Sequence, residues 1–175
     1  MADVAGDKGI YLVENGQLFC GLIITYDEAM KPMVYLNTVP KTQEEVMMTL
    51  AKYVTIESVQ FKNVPIEVQK WAKQVIDVFR GNDQDTSAIP IDLSGYTPKQ
   101  RVVVEVSHQQ LEPGKYYSYG EVAALAGIPN AHRFVGTTMK TLRQPYIVPV
   151  QRVKRSDWIK KRLRQKKPKK RPTPL

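Results

Sequence analysis

The sequence predicts an α+β protein: an N-terminal α/β unit, a mostly helical C-terminal unit and a basic tail. Three observations carry this reading. Strand-like runs precede residue 40, whereas helical patterns prevail after residue 97. The stretch "GNDQDTSAIPIDLSGYTPKQ" (81–100), rich in Gly, Asp, Ser and Pro, reads as the connection between them. Charge is split the same way. From Met1 to Thr97, 8 basic residues face 13 acidic ones; from Pro98 to Val153, 7 face 3; from Lys154 to Leu175, 11 face 1. The expected division is 1–85, 86–155 and 156–175.

The elements follow in order. "GIYLVENGQLFCGLIITY" holds two strands joined at "ENGQ", with Asn15-Gly16 as the hairpin signal. "KPMVYLNTV" is a third strand. "KTQEEVMMTLAKYV" is a helix, with Thr42 as its cap, Glu45 three residues on, and Val46, Leu50 and Val54 at helical spacing. "VTIESVQF" returns to a period of two and predicts a strand. "PIEVQKWAKQVIDVFRG" is a helix that starts near Pro65, turns Val68, Trp71, Val75 and Phe79 inward and stops at Gly81. "TPKQRVVVEVSHQQL" has Thr97 as a cap and Pro98 at the first helical position, although its valines also suit a strand. "EPGKYY" is a turn.

"SYGEVAALAGIPNAHRFVG" reads as two short helices around a tight turn. Ser118 and Glu121 form a capping-box pattern. Val122, Ala123 and Leu125 supply the inner side of the first helix, which Gly127 and Pro129 end. Asn130 is expected to cap the second helix, with Phe134, Val135 and Met139 inward and His132, Arg133, Thr137 and Lys140 outward. A buried seam behind a polar, basic face is the layout of a DNA-recognition helix. "IVPVQRV" reads as a supporting strand. Ser156 can cap a last helix through "DWIKKRLRQ", with Asp157 in its first turn and Trp158 and Leu163 packing back. "KKPKKRPTP" is expected to be disordered and to add phosphate contacts.

Composition narrows the classes. A hydrophobic fraction of 42% suffices for a core. No apolar run approaches the roughly 18 residues that span a bilayer, so no membrane association is expected. The polar opening "MADVAGDKG" is not a secretory signal. Cys20 is the only cysteine, which excludes an intrachain disulfide and suits an intracellular setting, cytoplasm with nucleoid or nucleus. His108 and His132 lack metal-ligand spacing, so neither metal nor cofactor is expected.

From Phe79 to Val153 the chain resembles the alkylguanine-DNA alkyltransferases, the methylated-DNA–protein-cysteine methyltransferases. "FRG", "IPIDLSGYTPKQ", "SYGEVAALAG", "IPNAHRFVG" and "IVPVQRV" follow the family's motifs in order and spacing. The resemblance implies an RNase-H-like α/β domain before a winged helix-turn-helix that docks in the minor groove and rotates a guanine out of the duplex. It assigns Arg133 to filling the vacated stack and Tyr119 to crowding the target phosphate. Asn130, Ala131, Gly136 and Thr137 would lie against the groove. Lys140, Arg152, Lys160, Lys161 and Arg162 complete the candidate DNA contacts.

The departure lies at the chemistry. Val150 stands where the family has its nucleophilic cysteine and Gln151 where it has histidine. Leu142 and Arg143 occupy the hinge that carries an asparagine in the family, and the relay glutamate is absent. An isopropyl group accepts no alkyl group. The sequence therefore predicts a DNA-repair homologue that is not an enzyme: a non-catalytic duplex-DNA-binding protein with little sequence preference. The alternatives are recognition of alkylated bases or alkyl transfer through another residue, and an RNA- or chromatin-associated basic factor that uses the tail. Cys20, in an apolar strand-like run, reads as a structural thiol.

Overall fold

A computed structural model describes residues 8–166. Its N-terminal part is a three-stranded antiparallel sheet in the order β1 (Gly9–Asn15), β2 (Leu18–Tyr26), β3 (Pro32–Asn37). Asn15 pairs with Leu18, so the central turn residues are Gly16 and Gln17, one position later than the sequence suggested. Gly16 takes the left-handed conformation (φ 68°) that a tight hairpin turn needs at its first central position.

Both faces of the sheet are buried, and alternate residues feed two cores. Tyr11, Val13, Cys20, Leu22, Ile24 and Val34 face helix α2 (Ile66–Phe79) through Val68, Ala72, Val75 and Ile76. Ile10, Leu12, Ile23, Tyr35 and Leu36 face helix α1 (Gln43–Leu50) through Val46 and Leu50. The helix α1 starts with the expected reciprocal box between Thr42 and Glu45. In α2 the buried stripe is turned from the expected one: Trp71 is half-buried and Phe79 exposed, while Ala72, Ile76 and Val78 are inside.

Gly21 marks where α1 presses on the sheet. A Cβ there would lie 2.7–3.1 Å from three side-chain atoms of the fully buried Leu50. Gly21→Val is expected to lower stability by about 1–3 kcal/mol through overpacking, measured as a urea midpoint shift at unchanged m-value.

Neither sheet edge is left open. Along β1, the Leu12 amide donates to the Gln60 carbonyl (3.0 Å) and the Gln60 amide to the Ile10 carbonyl (2.8 Å). Along β3, the Val34 amide donates to the Pro90 carbonyl and the Asp92 amide to the Val34 carbonyl, both at 2.9 Å. Such single-residue bridges block edge-to-edge pairing. The segment 54–61 is thus not the expected strand. Ile56–Ser58 forms a 3₁₀ turn in which the Ser58 hydroxyl and amide both donate to the Thr55 carbonyl.

The C-terminal part consists of α3 (Pro98–Gln110), β4 (Tyr117–Ser118), α4 (Tyr119–Leu125), α5 (His132–Lys140), β5 (Val153–Lys154) and α6 (Ser156–Lys166). The valine-rich α3 is a helix because Thr97 and Gln100 cap it reciprocally and Pro98 presets its first turn. Its core with α4 and α5 gathers Val103, Val122, Ala123, Val135, Met139 and Val153. Gln144 ties this part to the sheet. It is fully buried; its Nε2 donates to the carbonyls of Val34, Tyr35 and Asp92, and its Oε1 accepts from the Tyr96 hydroxyl. Among the described residues no helix is long and apolar enough to cross a membrane.

Candidate nucleic-acid interface

Strands β4 and β5 pair in parallel, Tyr117 with Val153 and Ser118 with Lys154. This short ladder fixes the starts of α4 and α6 beside each other. The Ser118 Oγ accepts from the Glu121 amide at 3.1 Å, capping α4. The helix ends on Gly127 (φ 73°), whose amide donates to the Ala124 carbonyl while the Ile128 amide reaches that of Ala123. Val122 and Ala123 are buried, but Leu125, expected inside, is exposed.

The turn differs from expectation at Asn130. It adopts φ 69° and does not cap α5; the capping position is Ala131, with no side-chain acceptor. Asn130 tolerates this left-handed conformation, which lets the chain reverse between Pro129 and Ala131. On α5, Val135, Thr138 and Met139 are buried, and Phe134 is half-buried beneath the Lys99 ammonium (4.4 Å).

His132, Arg133, Thr137 and Lys140 all lie on the exposed side of α5, as does Asn130 before it. Thr137 donates its hydroxyl to the Arg133 carbonyl (3.1 Å). Tyr119 is half-buried, and a Cβ at Gly136 would meet its ring at ordinary contact distance, 3.8–3.9 Å. Beside them runs a cleft of ≈ 760 Å³. Tyr119 and Ser118 form one side, Asn130 and His132 another, and Arg155 and Ser156 at the start of α6 the third. Sequence reasoning missed Arg155; its only signal was its place one residue before Ser156.

Helix α6 buries no residue. Lys160 and Lys161 are exposed on it. Trp158 does pack back, meeting the Tyr116 ring edge-on at 5.0 Å, whereas Leu163 remains 59% exposed. Arg162 lies over both rings, 5.4 Å from that of Tyr116 and 5.3 Å from that of Trp158. The end of the basic tail, 167–175, lies outside the described residues.

Arg152 is not a DNA contact. It is 3% exposed, and its Nε and Nη2 form a fork on Asp83 at 2.9–3.1 Å. Its Nη1 donates to the Leu111 carbonyl and its Nη2 also to that of Gln84. Four of its five N–H groups are thus bonded within the protein, and burial leaves the guanidinium no open face for a phosphate. Asp83 also accepts from Gln151 Nε2 (3.0 Å) and the Gly114 amide (2.9 Å). Burial pushes the Asp83 carboxyl up, but the bonds from Arg152, Gly114 and Gln151, together with the Arg152 charge, outweigh it and hold the group below the usual carboxylate range.

The segment read as a supporting strand is instead a 3₁₀ turn over Val150–Arg152, entered through Pro149 and followed by the two residues of β5. Val150 packs, half-buried, against the α4–α5 core. Gln151 turns toward Asp83, and its buried Oε1 has no partner among the described residues.

Cys20 lies in β2, fully buried, with its Sγ 3.6 Å from the Thr38 carbonyl oxygen. Burial pushes its thiol up to about 12. In the folded protein it is expected to react with a thiol reagent at pH 8 on the order of a thousandfold slower than after denaturation. Timed labelling in buffer and in denaturant checks this.

Comparison with known proteins adds to this geometry. Residues 98–171 match the family model described as the 6-O-methylguanine DNA methyltransferase DNA-binding domain. The chain is 30% identical over 99 residues to the constitutive methylated-DNA–protein-cysteine methyltransferase of Bacillus subtilis, covering 57% of this chain and 58% of that protein. It is 32% identical over 92 residues to the corresponding enzyme of Thermococcus barophilus, covering 52% and 51%. The chain thus spans little more than half the length of the curated relatives it matches. In fold it is similar to the O6-methylguanine methyltransferase of Mycobacterium tuberculosis (TM-score 0.59, 18% identity, 86% of this chain and 81% of that one). A second likeness is to O6-methylguanine-DNA methyltransferase of Pyrococcus kodakaraensis (0.58, 20%, 86% and 88%). A structure of the M. tuberculosis protein in complex with DNA is also similar (0.56, 18%, 85% and 80%).

These relatives correct one expectation. Val150 pointed to a chain that is not an enzyme, yet the relatives are named methyltransferases and the fold retains one thiol, Cys20. A missing thiol at residue 150 therefore does not make the chain a non-enzyme. The RNA alternative gains no support from these relatives, whose matched domain is a DNA-binding one. The match over residues 98–171, the two curated relatives and the shared α+β fold all support a likeness to the alkylguanine-DNA alkyltransferase family.

Proposed function

We propose that the chain binds duplex DNA through the α4–α5 helix-turn-helix, with the region from α6 onward as a second, basic arm, and with little sequence preference. In this reading residues 86–155 are the DNA-binding unit and 1–85 and 156–175 flank it. The carrying observation is the exposed face of α5, which presents Arg133 and Lys140, while Asn130 and His132 at its start line the cleft with Arg155 and Asp157. Thr137 is engaged with its own backbone, and the cations Arg133 and Lys140 contact phosphate without reading bases. In this reading Arg133 enters the stack, Tyr119 crowds a phosphate, and Asn130, Ala131 and Gly136 lie close to the groove. The α5 amides, without a side-chain cap, add an electropositive helix end.

Electrophoretic shift with an unmodified duplex tests the reading. Arg133→Ala is expected to weaken binding about tenfold. Unchanged affinity in Arg133→Ala and in a chain shortened before α6 overturns it. The activity named for the relatives has a direct test: incubation with DNA carrying an alkylated guanine, followed by intact-mass measurement. Cys20 is the sole thiol acceptor available, so a thiol adduct must disappear in Cys20→Ser. Acting in this way would require the contact between β2 and Thr38 to open.

A further inference from the structure

We propose that the groove between α6 and the segment Gly114–Tyr117 binds an unpaired nucleobase of a DNA strand, with the Arg162 guanidinium as its stacking platform. The site is separate from the duplex-binding cleft and shares no lining residue with it. The groove measures ≈ 430 Å³, within the range of small-ligand sites. Tyr116 and Tyr117 form one wall, Ile159 and Leu163 the other. Leu163 is 59% exposed and Trp158 37%, on a helix that buries nothing. Trp158 packs on Tyr116, and Leu163 is apolar surface that no described residue covers.

Arg162 gives the groove its character. Tyr116 and Trp158 meet edge-to-face, and the guanidinium sits over both rings. Lys154 adds a second cation 5.4 Å from the Trp158 ring. A planar cation fixed on aromatic rings loses little freedom when another flat π-system stacks on it, and bases stack on guanidinium planes. Lys115, Arg162 and Lys166 line the groove with one carboxylate, Glu121; Lys115 is paired with Glu112 just outside it, which leaves Arg162 and Lys166 as the cations set against Glu121. That balance disfavours a basic partner and favours a polyanion. Glu121 offers an acceptor to exocyclic amino groups.

The occupant must combine a flat apolar face with flanking negative charge, as a base on a phosphodiester chain does. A paired base in a duplex shows only its edges. The base must therefore be unpaired: a strand end, a gap or a displaced strand.

The experiment compares the full chain's affinity for a short oligothymidylate with that for an abasic strand of equal phosphate count. The base-containing strand is expected to bind at least about fivefold tighter and alone to quench tryptophan emission. Arg162→Lys keeps the charge and removes the plane, so it should abolish most of that preference with the salt dependence unchanged. Leu163→Ser, a neutral change at an exposed position, should do the same. Equal binding of the two strands overturns the proposal, as does a preference that survives both substitutions. Arg133→Ala separates the two readings. It should leave the preference for bases intact even where duplex binding falls, and loss of both together shows that the groove is not a site of its own.

Discussion

Arg152→Ala is expected to cost about 3 kcal/mol of stability, lowering Tm by about 6–12 °C. The arginine is 3% exposed, and its fork on Asp83 is its only ion pair among the described residues. Removing it leaves a carboxylate with the Gly114 amide and Gln151 as its remaining partners, and it frees the Leu111 and Gln84 carbonyls. Breaking a buried pair from one side is the costly direction, because the surviving charge stays desolvated. The Asp83 side chain is 25% exposed, which lets water relieve part of the penalty and keeps the estimate at the low end of its class. Acid adds a second signature. The Asp83 carboxyl is depressed in the folded state, so its stabilisation is complete above the ordinary aspartate range near pH 4 and is lost as pH falls through the folded value. Denaturation of the wild type between about pH 5 and 2 should therefore show a steeper loss than that of Asp83→Asn/Arg152→Met, which lacks the pair.

That ion pair also shows which parts of the molecule were legible in the sequence. The boxes at Thr42 and Thr97, the stop at Gly81 and the turn at Gly127 depend on residues within four positions, and their patterns are nearly sufficient causes. The exposed face of α5 was legible for the same reason: helical spacing puts Arg133, Thr137 and Lys140 on one side. Arg152 was misread because its partner is 69 residues away, and an arginine in a basic C-terminal region looks like a phosphate contact until Asp83 is placed beside it. The segment before it failed for a local reason. Pro149 cannot donate to a ladder, and the 3₁₀ turn that follows closes on the Pro149 carbonyl through the Arg152 amide. In "VTIESVQF" the period of two suited a strand equally well, but Ser58 supplied a competing bond to Thr55. Asn130 has a capping side chain, yet the sharper demand at that position was a left-handed backbone. The arrangement around Tyr116, Trp158 and Arg162 spans 46 residues of chain, and no periodicity announces it.

Removal of residues 156–175 is expected to lower duplex affinity by on the order of a thousandfold at low salt and to make its salt dependence shallower. The argument is additive. Helix α6 presents Lys160, Lys161, Arg164 and Lys166 on exposed positions, and the sequence beyond it continues basic. Each cation that meets a phosphate steepens the plot of log K against log salt by about 0.9 on duplex DNA. About six contacts give the full chain a slope of roughly −5, and a chain ending at Arg155 should retain only the contribution of Arg133, Lys140 and Arg155, a slope of roughly −3. The truncation should not unfold the protein. No residue of α6 is buried, and none belongs to a core cluster. Tyr116 loses its Trp158 neighbour, an edge-on contact on the order of 1 kcal/mol, so a thermal melt should move only slightly. Equal slopes for the two chains would mean that α6 points its cations away from DNA, and the duplex would then be held by the helix-turn-helix alone. Intermediate truncation after Lys166 divides the effect between the helix and the residues that follow. If phosphate contacts act independently, the two partial losses in slope should sum to the whole.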